Sequence, residues 1–262
     1  GVSCVNALSI YLHAEVHREG KIFEQEYKQG KPQYDVRQIG DTTDRGTIVT
    51  FLPDPEIFET DEYKFDVLAH RLREMSYLNK GLRLKLTDER EQEDGVYKFE
   101  EFYSEGGLQE FVIYLDEAKT NLIEHPIYIT TNEEDVDVEV ALTYNTSYSE
   151  NVVSFVNNIS TRDGGTHVSG FRRALTREFK KYGDDNGFFK KLSFAISGED
   201  FMEGLTAVIS VKVQEPQFKG QTKGELGNSE VLGIVSRSVG DALKIFLEEN
   251  ANQARRIIDK VV

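Results

Sequence analysis

Cysteine is nearly absent from this chain. Cys4 supplies the single thiol, which excludes an intramolecular disulfide and a cysteine-built metal cluster, and a reducing cytoplasm fits that usage. Long apolar runs are missing as well. None approaches the roughly 20 residues that span a bilayer, so no membrane partner is expected. The first residues, Gly1-Val2-Ser3-Cys4-Val5-Asn6-Ala7-Leu8, carry no basic segment, so no secretory signal is read there. No methionine opens the chain, and Gly1-Val2-Ser3 runs straight into a helix-compatible stretch, which reads as a cut. There is no G-x-S-x-G elbow, and the five histidines are scattered, so a catalytic triad is excluded. With one cysteine, and with His13 and His17 four apart on a stretch that alternates as a strand rather than a helix, no zinc site is expected. Neither a complete Walker A sequence nor a complete G-x-G-x-x-G is present.

What is present describes a protein with a sizeable core. The 262 residues are 39% hydrophobic and 11% aromatic, enough for one large domain or two of ordinary size. Charged residues make up 29% and the formal charge is -15, which counts against a surface that coats nucleic acid, because phosphate affinity comes from clustered Lys and Arg. The charge is uneven, however. Between Arg162 and Lys191 lie Arg172, Arg173, Arg177, Lys180, Lys181 and Lys190, against Asp163, Glu178, Asp184 and Asp185. That is a basic stretch in an acidic protein. Such stretches are more often solvated helix faces than DNA contacts.

Periodicity gives an α+β order. Tyr11, His13, Glu15 and His17 alternate with Leu12, Ala14 and Val16, and Glu19-Gly20 turns the chain into a return strand at Ile22-Phe23. Gly46 to Phe51 reads as a strand closed by Pro53 and Pro55. Phe65, Leu68, Leu72, Met75 and Leu78 share one helical face, ended by Asn79-Lys80-Gly81. Leu82, Leu84 and Leu86 resume strand alternation, and Asp88 to Gly95 reads as a charged turn. A domain boundary is expected near Phe102, before a helix carrying Leu108, Phe111, Val112 and Leu115. Strands are expected around Ile127–Thr130, Val136–Tyr144, Asn151–Asn157, Leu192–Ile196 and Leu205–Val213. Thr166 is expected to cap a helix with Phe171, Ala174, Leu175 and Phe179 on one face. Gln214 to Asn228 reads as a loop, followed by a long helix from Ser229 and a last one holding Ala254, Ile257 and Ile258.

Three segments carry more than periodicity. Gly1-Val2-Ser3-Cys4-Val5-Asn6-Ala7-Leu8-Ser9 resembles the end of the glycine-rich ATP-binding motif in the B subunits of bacterial type II DNA topoisomerases. Arg162-Asp163-Gly164-Gly165-Thr166-His167, followed by Gly170-Phe171-Arg172, resembles a hallmark of the same subunits. Gln221-Thr222-Lys223 before a long helix is similar to their Q-T-K loop. Arg18-Glu19-Gly20-Lys21-Ile22, Gly46-Thr47, Ser104-Glu105-Gly106-Gly107 and Val211-Lys212-Val213 match in between, so the collinear resemblance covers essentially the whole chain. Arg162-Asp163 ahead of Gly164 leans toward the gyrase branch, with topoisomerase IV as the near alternative. A non-enzymatic interaction module is the reading from another class.

The resemblance implies an ATP-binding fold shared with ninety-kilodalton chaperones, histidine kinases and mismatch-repair ATPases, followed by a βαβ-containing transducer domain. Residues 1–101 would be the C-terminal part of the first and 102–262 the second. In the family Lys223 contacts the terminal phosphate of ATP and Gln221 assists. Gly1 and Val2 would line the nucleotide side, Thr47 would lie near the adenine, and Arg18 at the pocket rim where aminocoumarins reach. Arg162, with Arg172 and Arg177, would face the cavity through which DNA passes. Cys4 and His167 read as structural, the first packed in a helix and the second near a helix start. The parent protein would use ATP and Mg2+, dimerise through its B subunits, and work with gyrase A and DNA. The water-activating Glu, the magnesium Asn and the downstream metal-binding domain of the family have no counterpart in these residues, so the piece alone is expected to bind ATP poorly.

Overall fold

The computed structural model describes residues 1–190 and 192–261. Lys191, which ends the basic stretch, and Val262, which ends the expected second domain, lie outside the described residues. The chain forms two compact units, Gly1–Lys64 and Phe65–Val262. Their division falls upstream of the boundary near Phe102 read from the sequence.

The first unit begins with helix α1 (Val2–Ala7) and continues as strands β1 (Ser9–Arg18), β2 (Lys21–Lys28), β3 (Lys31–Pro32), β4 (Arg37–Asp41) and β5 (Gly46–Pro53). These form one sheet in the order β3-β2-β1-β5, with β4 also paired to β2. The β1–β2 hairpin closes Arg18 on Lys21 through Glu19 (φ 54) and Gly20 (φ 77). Both turn residues are left-handed, which matches the strand twist. The expected alternation holds. Leu12 is buried, and Leu12, Ala14 and Val16 lie opposite Phe51, Val49 and Thr47 of β5. The other face is polar, with His13 2.9 Å from Glu24 and His17 2.5 Å from Glu15. Hydrogen bonds from His13 and Arg37 hold the Glu24 carboxyl below the ordinary range. Cys4 does sit in helix α1, but it is exposed rather than packed. It lines a cavity of about 380 Å³ together with Leu8, Phe51, Phe58 and Tyr63.

The second unit is layered. After helix α2 (Phe65–Leu78) comes the hairpin β6 (Leu84–Glu93) and β7 (Val96–Phe102), then helix α3 (Leu108–Leu115). Strands β8 (Ile127–Glu133), β9 (Val136–Tyr144), β10 (Asn151–Val156) and β11 (Ile159–Ser160) lead to helix α4 (Thr166–Asp185). Strand β12 (Leu205–Lys212), the short pair β13 (Phe218–Lys219) and β14 (Glu225–Leu226), and helices α5 (Ser229–Glu249) and α6 (Ala251–Val261) complete it. The main sheet runs β11-β10-β12-β9-β8. Strands β10 and β12 are parallel, so α4 lies in a β-α-β connection, as parallel strands require a crossover.

Burial follows from that layering. One face of the sheet packs on α4, α5 and α6 through Val140, Leu142, Tyr144, Phe171, Leu175, Phe179, Ile209, Val235 and Leu243. The other packs on α2 and α3 through Leu78, Leu108, Phe111, Ala141, Phe155 and Val208. Strand β9 shows the transition within one element. Val136, Val138 and Val140 are buried while Asp137 is exposed, and from Val140 to Tyr144 every residue is buried because helices cover both faces. Inside this unit lies a polar cluster that the periodicity does not reveal. Asp116, 2% exposed, accepts hydrogen bonds from Asn145 Nδ2 at 3.0 Å and Thr206 Oγ1 at 2.5 Å.

Three expectations differ from what is found. Asp88–Gly95 is not a turn throughout. Strand β6 continues to Glu93 with an irregularity between Asp88 and Gln92, and the reversal is confined to Asp94 (φ 51) and Gly95 (φ 79). Leu192–Ile196 forms no strand; Phe194 is exposed while Ile196 is tucked into the core. Thr166 is the first residue of α4, not its cap. Gly165 holds the cap position, and no side-chain hydrogen bond caps the start of the helix.

Candidate functional site

The residues read as a Q-T-K loop form the tip of a small hairpin. Phe218 pairs with Leu226 and Lys219 with Glu225, and residues 220–224 make the reversal. Gly220 has φ 86 and Lys223 φ 58. A lysine in the left-handed region carries a modest backbone strain, tolerated only when its surroundings define it. Gln221, Thr222 and Lys223 are all exposed, whereas Leu226 is fully buried. The tip is therefore open to solvent while its base is sunk in the core.

The two lysines of this hairpin differ in their partners. Lys219 Nζ lies 2.5 Å from Glu225 and is neutralised within the hairpin. Among the described residues no carboxylate pairs with Lys223. Its Nζ stands 5.9 Å from the centroid of the Phe218 ring. A compact, unneutralised ammonium on a defined turn is suited to meeting an incoming anion.

The base is held on two sides. Gln217 N donates to Asn228 Oδ1 at 2.6 Å, and Asn228 Nδ2 donates to Glu230 Oε1 at 2.8 Å. That bond from Asn228 keeps the Glu230 carboxyl below its ordinary range. On the other side, the Asp163-Gly164-Gly165 turn runs alongside. Asp163 N donates to Gly224 O at 3.0 Å and Leu226 N to Gly164 O at 3.1 Å. These two motifs are separate in the sequence; the fold brings them into backbone contact.

Beneath the turn lies His167, 0% exposed. Its Nε2 is 2.9 Å from Thr161 Oγ1, which is 2.7 Å from Ser154 Oγ. Ser154 Oγ in turn donates to the Thr161 carbonyl at 3.0 Å. Since the Ser154 proton is engaged there, Thr161 donates to Ser154 and His167 Nε2–H donates to Thr161. His167 Nδ1, with no partner, is then a bare acceptor, the less costly tautomer to bury. Burial pushes the imidazole down to about 4. The unfolded chain takes up a proton near the ordinary histidine value of about 6.5, and the folded chain does not. Stability should therefore fall as pH drops from about 6.5 to about 4, by up to about 3 kcal/mol. Urea unfolding across that range should show this slope, and His167→Gln should lose it; an unchanged slope in the variant would contradict the assignment.

The remaining expected site residues are placed as follows. Arg162 is exposed and, among the described residues, has no ion-pair partner. Arg172 pairs with Glu150, and Glu199 is 4.0 Å away. Arg177 bonds Glu178 at 2.7 Å and reaches Ser236 Oγ and Ser236 O on α5, both at 3.2 Å. In the first unit, Gly1 and Val2 are exposed at the start of α1. Thr47 is exposed on β5, and Arg18 is exposed at the hairpin turn with Nε 3.2 Å from Glu19. Within the second unit the turn that follows Arg162 meets the Lys223 hairpin through Asp163, Gly164 and Gly165, and Gly1, Val2, Thr47 and Arg18 all belong to the first unit.

In fold the chain is similar to the ATP-binding domains of bacterial type II topoisomerases. It covers 99% of itself and 69% of the 43K ATPase domain of Thermus thermophilus gyrase B, solved in complex with an aminocoumarin, with a TM-score of 0.83 and 36% identity. The topoisomerase IV ATP-binding domain of Francisella tularensis, solved with a small-molecule inhibitor, gives a TM-score of 0.83 at 31% identity over 100% of this chain and 70% of that one. The family model for DNA gyrase B matches residues 107–262. The DNA gyrase B protein of Cytophaga aurantiaca is 56% identical over 100% of this chain and 55% of its own length. That of Clostridium acetobutylicum is 47% identical, over 100% of this chain and 40% of its own length. The chain belongs to the DNA gyrase B family. It spans about half the length of the curated relatives it matches.

Proposed function

We propose that this chain serves an ATP-driven type II DNA topoisomerase, as part of the B component of a gyrase. In the full-length protein, ATP binding closes a gate between two such subunits. Hydrolysis resets it while a DNA segment is passed, with gyrase A as partner and negative supercoiling as the outcome. The observation that carries this reading is the exposed, unneutralised Lys223 on a hairpin whose other lysine is already paired. Lys223 would offset the charge on the terminal phosphate of ATP, with Gln221 assisting, since phosphoryl transfer depends on positioning and charge stabilisation more than on covalent chemistry. Gly1 and Val2 would line the nucleotide side, Thr47 would approach the adenine, and Arg18 would sit at the rim.

Residues 1–101 would act as the later part of the ATP-binding domain and 102–262 as the transducer. Arg162 suits weak contact with passing DNA best, because its guanidinium has no carboxylate partner among the described residues. Arg172 and Arg177 are engaged with Glu150 and with Glu178 and Ser236, which makes them secondary contributors. Mg2+ would arrive with the nucleotide. Among the described residues no group of three or more His, Cys, Asp or Glu side chains is placed to hold a metal ion. No described helix is long and apolar enough to cross a membrane.

The test is ATP turnover by the full-length protein with Mg2+. Measurable turnover supports the reading; neither binding nor turnover of ATP by the intact protein would sink it.

A further inference from the structure

The backbone contact between the Asp163–Gly165 turn and the hairpin tip has a consequence for the proposed phosphate contact. At Gly165 (φ 135) an added Cβ would lie 2.4 Å from Leu226 N and 2.5 Å from Leu226 O. Those are backbone atoms, so no side-chain rotation relieves the clash. At Gly224 an added Cβ would lie 2.3 Å from Asp163 Oδ2, with Asp163 Cγ next at 3.3 Å and Thr222 Oγ1 at 3.7 Å. At Gly165 the two segments therefore meet with no room for a side chain, whereas at Gly224 the space is taken by the end of the Asp163 side chain. They are stitched by the Asp163 N to Gly224 O and Leu226 N to Gly164 O bonds. Leu226, fully buried, fixes the far side of the contact in the core. Lys223 sits one residue from Gly224, in a left-handed conformation that needs such support.

We propose that the Asp163–Gly165 turn is the positioning element of Lys223, setting where its ammonium stands through the backbone contact at Gly165 and the seating of the Asp163 carboxylate against Gly224. This rests on the reading of Lys223 as the terminal-phosphate contact. Gly165 and Gly224 touch no substrate and act only through the hairpin. A displacement of about 1 Å at a charge-stabilising group costs on the order of 10²-fold in rate. KM should rise by no more than it does in Lys223→Ala, because the turn itself contributes no binding contact.

The test uses the full-length protein and measures kcat and KM for ATP. Gly165→Ala should lose kcat on the order of 10²-fold, and the double variant Gly165→Ala with Lys223→Ala should be no slower than Lys223→Ala alone, since groups acting through one another are non-additive. Gly224→Ala provides a second route should Gly165→Ala not fold. It should lower kcat, and Asp163→Ala should restore it by removing the atoms that the new methyl strikes. If Lys223→Ala slows turnover while folded Gly165→Ala and Gly224→Ala keep wild-type kcat, the positioning role is overturned and the phosphate reading stands. Fully additive losses with Lys223→Ala also overturn it. If Lys223→Ala itself leaves turnover unchanged, both fail together.

Discussion

Lys223→Ala in the full-length protein is expected to lower kcat for ATP by about 10²- to 10³-fold. Of the two lysines in the hairpin, Lys219 is already paired with Glu225. Removing Lys223 therefore removes the hairpin charge that is left to meet a phosphate. A positioned donor aimed at developing charge is worth more in the transition state than in the ground state, so kcat should fall more than KM rises. Lys219→Ala provides the comparison. It takes away an internal ion pair that is largely exposed and of little energetic weight, and turnover should change by less than about threefold. Equal losses in the two variants would show that general charge, not the position of Lys223, governs turnover.

The largest effect on stability is expected at Phe179. It is fully buried, stacks on Phe201 with centroids 5.8 Å apart and meets Tyr144 edge-on at 5.8 Å. Phe179→Ala leaves a cavity between α4 and the sheet that three rings otherwise fill. The cost should be about 3–5 kcal/mol, seen as a fall in Tm on the order of 10 °C. Thermal unfolding followed by circular dichroism checks this. A loss below about 1 kcal/mol would mean that the helix layer relaxes around the gap.

Much of this fold is legible in the sequence, for physical reasons that also explain where it is not. The face of α4 with Phe171, Ala174, Leu175 and Phe179 shows directly as helical spacing, and all four are buried. Strand β9 shows as alternation because one face of its first half meets solvent. The β6–β7 hairpin reads as a charged turn for the opposite reason. Both its faces are largely exposed there, so hydrophobicity carries no period between Asp88 and Glu93. The segment Leu192–Ile196 has strand-like composition but no neighbour to pair with, and pairing rather than propensity decides a strand. Asp116 reads as one more surface carboxylate until Asn145 and Thr206, distant in sequence, converge on it.

The candidate site is legible in a different way. Lys223 and Arg162 stand out through resemblance, since an isolated Gln-x-Lys carries almost no information. That the two segments carrying them meet does not show in the sequence. It arises from the contact of Gly165 with Leu226, a bridge between residues about sixty apart in sequence. Neither glycine pattern nor charge signals such a contact. Only the absence of room for a Cβ against the Leu226 backbone, visible once the backbone is placed, gives Gly165 its meaning, and the Asp163 carboxylate seated against it gives Gly224 its own.

The proposed role of Lys223 turns on whether it meets the terminal phosphate, and binding tests this more directly than turnover. The affinities of a non-hydrolysable ATP analogue and of ADP should be measured for the full-length protein and its Lys223→Ala variant. If Lys223 contacts the terminal phosphate, the triphosphate should weaken by about tenfold, ~1.5 kcal/mol for one charge-assisted bond, while ADP is unchanged. If both nucleotides bind the variant as tightly as the wild type, or both weaken equally, Lys223 does not read the terminal phosphate and the proposed role of the hairpin is wrong.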